Sequence, residues 1–297
     1  MRRWLALLLT LPAAAQAGQW LSVTPRPGAG ELHYYSSQPG NAQATAALVV
    51  VHGFPHDALR TFRAGVAANP GAVVLAPLFQ ANDADRCQRG EEPRAVPGEL
   101  VWTCSGWMQG EPAINAPQVS AFAAMDALVA EVRHRWPQVR TITVAGFSAG
   151  AQMVQHYVAF AAPQPGLRFV VADPGTWLYF QAKRPYAVND CPGANQWKYG
   201  VEGLPAWLPG EASEAWSRYA SAEVHYLAGS RDTGDAKGTA YRLLDRSCAA
   251  MAQGPYRLER ARAFTQALGQ PLIEVPGCAH DVSCVFGSAQ GRSVLAP

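Results

Sequence analysis

The 297-residue chain carries 24 Lys and Arg against 22 Asp and Glu, a net charge of +2, and 49% of its residues are hydrophobic. That balance gives no electrostatic basis for binding nucleic acid or an anionic membrane. The apolar content excludes global disorder.

Residues 1–17 join Arg2 and Arg3, the apolar run Trp4–Leu11 and the small-x-small tripeptide Ala15-Gln16-Ala17. Together they read as a secretory signal peptide cut after Ala17. The run is too short for a bilayer, which takes about 20 residues, and no later segment is long and apolar enough to cross one. The remainder, 18–297, fits one α/β domain. Without the leader arginines its charges balance. A monomer, secreted or periplasmic, is expected.

Ala46–Val51 is the first short apolar run of the kind that forms a buried parallel strand, and Ala72–Ala76 is the next. Residues 77–118 break the pattern and hold Cys87, Trp102, Cys104 and Trp107. Val119–Trp136 sets Phe122, Met125, Val129 and Val132 near one helix face. Thr141–Ala145 reads as a strand, Ser148–Phe160 as a helix and Phe169–Ala172 as a strand. A second irregular stretch, 174–212, holds Trp177, Tyr179, Cys191, Trp197, Tyr199 and Trp207. Strand Val224–Leu227, helices over Ala236–Ala252 and Pro255–Leu268, and strand Leu272–Val275 follow. This alternation predicts a mostly parallel sheet flanked by helices on both faces. The two aromatic-rich insertions, about 77–118 and 174–212, lie beyond strand ends, where open α/β sheets keep their sites.

Gly146-Phe147-Ser148-Ala149-Gly150 stands between a strand and a helix, the context of a G-x-S-x-G nucleophile elbow. A serine hydroxyl needs a base, and the base needs an orienting acid. Asp232 follows strand Val224–Leu227 and His280 follows Leu272–Val275, in the order such folds require. Asp235 is the main rival acid and Asp173 a lesser one. His52-Gly53-Phe54 follows the first strand, so the Phe54 and Ala149 amides are the expected oxyanion donors. Trp107, Trp177, Tyr179 and Trp197 are candidate substrate walls, which would favour a neutral ester with a hydrophobic part. The competing reading is that these aromatics pin the insertions to the body.

Six cysteines suit an exported protein. Locality pairs Cys87 with Cys104 and Cys278 with Cys284, leaving Cys191 for Cys248. None forms a CxxC pair or sits at zinc-finger spacing, so no metal or other cofactor is expected.

Several segments resemble secreted serine hydrolases of bacteria and fungi, esterase-like members of the α/β-hydrolase superfamily. They are Trp136–Arg140 with Thr143–Gly150, Asn195–Gly200, Gln253–Phe264 and Pro276–Phe286. The resemblance covers most of the chain. It implies the α/β-hydrolase fold and functional positions at Ser148, Asp232 and His280. It brings no substrate, and the cysteines bracketing His280 depart from most relatives. The expected activity is hydrolysis of a small or polymeric carboxylic ester through an acyl-enzyme. An amidase, peptidase or acyltransferase would use the same residues. A non-catalytic carbohydrate- or ligand-binding protein on this fold is the alternative from another class.

Overall fold

A computed structural model describes residues 18–40, 43–88 and 90–296, and the expected signal peptide lies outside them. Strands β1 (Gln19–Val23) and β2 (Leu32–Ser36) form an antiparallel hairpin at one sheet edge. Six further strands follow: β3 (Ala46–Val51), β4 (Val73–Pro77), β5 (Thr141–Phe147), β6 (Leu167–Ala172), β7 (Val224–Gly229) and β8 (Leu272–Val275). They complete an eight-stranded sheet of order β1-β2-β4-β3-β5-β6-β7-β8. β2 runs against both neighbours, and the pairings from β4 to β8 are parallel.

The central strands read as unbroken apolar runs because both their faces are buried. Val49, Val51, Val144 and Val171 turn to one core; Leu48, Val50, Ala145 and Val170 turn to the other. Helices α1 (Ala58–Ala68), α6 (Val282–Gly287) and α7 (Ala289–Leu295) cover the second face with Phe62, Val285, Phe286 and Leu295. Helices α2 (Ala121–Arg135), α3 (Ala149–Val158), α4 (Ala212–Ser221) and α5 (Arg257–Leu268) cover the first. The Ser120 hydroxyl caps α2 by accepting from Ala123 N–H. Among the described residues no helix is long and apolar enough to cross a membrane.

One predicted element does not form. Ala236–Ala252 is not a continuous helix but a bent loop with a 3₁₀ turn at Tyr241–Leu243 and a short helix at Cys248–Met251. Gly238 and Ala240 sit at φ of 94° and 48°, a left-handed backbone that a helix cannot continue. Arg257 Nη1 donates to Thr239 O at 2.6 Å and holds the loop against the body.

The insertions carry short elements of their own. In the first, Trp102 and Trp107 are fully buried, and Cys87 is bonded to Cys104. In the second, Cys191 is bonded to Cys248, tying the insertion to the bent loop after β7. Cys278 is bonded to Cys284 and closes a small ring around His280. These are the pairings that locality led us to expect.

Candidate active site

Ser148 is the single residue between β5 and α3, with φ 59° and ψ −121°. A non-glycine residue there is strained, and such strain is kept where the surrounding structure fixes it. The flanking glycines permit the turn. A Cβ on Gly146 would collide with the backbone of Gly150, and one on Gly150 with the carbonyls of Val51 and His52. The hydroxyl is thereby held at the C-terminal edge of the sheet.

The loops after β7 and β8 bring two partners to it. Ser148 Oγ lies 2.8 Å from His280 Nε2, and His280 Nδ1 lies 2.6 Å from Asp232 Oδ2. A carboxylate only accepts, so the proton sits on Nδ1 and Nε2 is left to accept from the serine hydroxyl. Burial, then the nearby Arg257 guanidinium, lowers the imidazole pKa below its ordinary value, against the opposing pull of Asp232. The ring is therefore neutral at pH 7.

Asp232 is itself buried. Its other oxygen lies 3.5 Å from Arg257 Nη1. Of the rival acids, Asp235 is exposed and makes no contact with His280. Asp173, fully buried and at φ 51°, accepts from Gly229 N–H through both oxygens at 3.0 and 3.1 Å. Burial, and the neighbouring Asp232 after it, pushes the Asp173 pKa well above the ordinary carboxyl range. Asp173 thus stands behind Asp232 with its carboxyl pushed toward the protonated form.

Phe54 and Ala149 border the same pocket as Ser148 and His280, and among the described residues neither amide has an acceptor. The Phe54 turn is held from behind by the side chains of His52 and Asp57. Buried His52 accepts from Phe79 N–H through Nε2 at 3.2 Å, so its Nδ1–H donates to Gly53 O at 2.9 Å. Burial, with His56 beside it, keeps its pKa well below the ordinary histidine value. Asp57 Oδ1 accepts from Gly53 N–H at 3.1 Å. The motif His52-Gly53-Phe54 does not itself reveal what the His52 ring holds, because its partner Phe79 belongs to the first insertion.

The pocket over Ser148 has a volume of about 310 Å³. Met108, Phe147, Leu243 and Val282 are among its apolar lining, and Asp57, Arg60, Gln152, Lys198, Asp245 and Arg257 among its polar lining. The four predicted substrate aromatics do not line it. Trp107 stacks on Phe79, with centroids 5.2 Å apart, and Trp177 on Phe264, 4.3 Å apart. Trp197 packs edge-on against His156 and Phe160. Tyr179 borders a different cavity of about 680 Å³, with Phe180, Trp216 and Phe264, which contains no serine–histidine pair. These rings are flat, large and apolar, and packing them inside buries more surface than a pocket wall would. They pin the insertions, and the residue after Trp197 faces the serine instead.

Compared with solved structures, the chain is similar to poly(aspartic acid) hydrolase-1 from Sphingomonas sp. KT-1. The TM-score is 0.64 at 20% identity, over 94% of this chain and 97% of that one. It is also similar to a poly(3-hydroxybutyrate) depolymerase from Bordetella parapertussis, with a TM-score of 0.63 at 19% identity, over 94% and 95%. No protein family and no curated protein matches the chain. Strand order, the reversed second strand and this likeness give the chain the α/β-hydrolase fold.

Proposed function

We propose that the protein is an exported serine hydrolase that cleaves carboxylic esters through an acyl-enzyme on Ser148. The observation that carries this is the continuous hydrogen-bonded line from Ser148 Oγ through His280 to Asp232, with distances of 2.8 and 2.6 Å. His280 Nε2 takes the hydroxyl proton as Ser148 Oγ attacks the ester carbonyl. The Phe54 and Ala149 amides meet the oxyanion that forms. The imidazolium, stabilised by Asp232, returns the proton to the leaving alcohol. Water then enters by the same route and releases the acid. Three disulfides support the export reading. The solved neighbours are named a hydrolase and a depolymerase of polymers, which keeps polymeric as well as small esters in view.

A fluorophosphonate tests the nucleophile directly. We expect one stoichiometric adduct, on the tryptic peptide containing Ser148, and none in Ser148→Ala. Labelling elsewhere, or no labelling, refutes the assignment. The pH profile tests the base. His280 must be neutral to accept the proton, and its pKa is lowered. The acid limb of kcat/KM should therefore have its midpoint below the ordinary histidine value of about 6.5, with a plateau through neutral pH. A midpoint above that value would contradict the burial of the ring.

A further inference from the structure

The polar wall of the serine pocket offers more donors than it has acceptors. Gln152, one turn into α3, is 4% exposed. Its Oε1 accepts from Thr176 Oγ1 at 2.9 Å, while Nε2 has no hydrogen-bond partner among the described residues. Buried donors are nearly always paired, so an orphan bordering a reactive serine calls for an outside acceptor.

Lys198 reaches the same pocket from the second insertion. Its Nζ lies 3.3 Å from Asp245 Oδ2, its one ion-pair partner within 4 Å among the described residues. An ammonium has three N–H groups, so two remain to be used. Asp245 has little further capacity, since it accepts from Tyr199 Oη at 2.6 Å and from Ser247 N–H at 2.9 Å. Burial alone would raise its pKa, but those hydrogen bonds and Lys198 bring it down to about 2. The Lys198–Asp245 pair is thus formally neutral and places no demand for a net negative charge on what binds beside it. The backbone of Lys198 is fixed to the nucleophile helix, with His156 Nε2 2.8 Å from its carbonyl. One His156 ring thus lies between the backbone carbonyls of Gln152 and Lys198, and both residues border the pocket.

We propose that Gln152 and Lys198 bind a second oxygen acceptor carried by the substrate close to its scissile ester. The preferred substrates are then esters with another carbonyl one short unit away, as in oligomers of hydroxy acids, rather than plain alkyl esters. A pocket of about 310 Å³ suits one or two such units. A hydrocarbon chain in that place would strip water from Lys198 and leave the Gln152 amide unpaired, and sites built to bind an oxygen reject analogues that lack it. The inference rests on the ester-hydrolase reading of Ser148.

Two matched substrate pairs test it. On the acyl side, 4-nitrophenyl methyl succinate is compared with 4-nitrophenyl hexanoate. On the alcohol side, the butyrate of methyl 3-hydroxybutanoate is compared with hexan-2-yl butyrate. Each ratio of kcat/KM is divided by the corresponding ratio of hydroxide rates, which removes intrinsic reactivity. In the wild type we expect the carbonyl-bearing member of at least one pair to be favoured about tenfold or more. The pair that responds tells which side of the scissile bond the acceptor occupies. In Lys198→Met/Asp245→Asn, which removes the pair without stranding a carboxylate, the ratio should fall to near one. Gln152→Leu should reduce it on its own. Equal rates within both pairs, or a preference unchanged in both variants, overturns the proposal. If none of the four esters shows turnover that depends on Ser148, it is the ester reading of the site that fails.

Discussion

Ser148→Ala and His280→Ala are each expected to lower kcat/KM on an activated ester by a factor on the order of 10⁴–10⁶. The two losses should not add, because the hydroxyl without its base and the base without its hydroxyl are equally idle. What survives is the stabilisation by the Phe54 and Ala149 amides, which neither substitution touches. The fold should persist. Ser148 sits at a left-handed φ of 59°, which alanine tolerates no worse than serine. His280 packs on Phe147, with centroids 4.7 Å apart, so its removal costs some packing but no strand. Matched melting temperatures and circular dichroism, alongside single-turnover rates, check both halves. A double variant slower than either single by a further large factor would mean the two residues act separately.

Asp232→Asn is expected to cost a factor of roughly 10³–10⁴ while leaving the shape of the site intact. Asparagine can turn its NH₂ toward Nδ1, which drives the proton to Nε2 and leaves no lone pair for the serine hydroxyl. It also removes the charge that stabilises the imidazolium. Asp173→Asn supplies the contrast. Burial and Asp232 push the pKa of that carboxyl upward, and it serves the Gly229 amide rather than His280. An amide oxygen in its place can keep the bond from Gly229 N–H, so activity should stay within about tenfold of wild type by comparison. Asp235→Asn, in an exposed loop, should have no effect beyond error. If Asp173→Asn or Asp235→Asn were the damaging variant, the acid assignment would be wrong.

The parallel strands were legible because burial on both faces writes itself as a plain apolar run, as in Ala46–Val51 and Leu272–Val275. The edge hairpin was not. β1 is Gln-Trp-Leu-Ser-Val and only half-buried, so it carries neither a continuous run nor a clean alternation. The loop after β7 looked helical from its apolar spacing. The left-handed Ala240 and the Arg257 bond that bend it are tertiary facts. That Ser148, Asp232 and His280 would come together was readable from order along the chain, since each falls just past a strand end. The pocket wall was not. Trp177 and Trp197 drew attention by size, yet Gln152 and Lys198, an ordinary glutamine and lysine, are among the residues that line the serine pocket.

Trp197 and Lys198 are neighbours with opposite tasks. One is wedged against His156 and Phe160 and the other opens onto the serine. Such a division makes the pocket unusually open to change over generations. A mutation at position 198 can alter what is cleaved while the anchor beside it keeps the insertion in register. Drift at 197 would instead loosen the whole wall at once. Libraries that randomise Lys198 jointly with Asp245, together with Leu243 and Met108, while sparing Trp197 and Trp177 should therefore return more folded clones and a wider range of new substrates. Random libraries of equal size that spread mutations across the insertions should do worse on both counts.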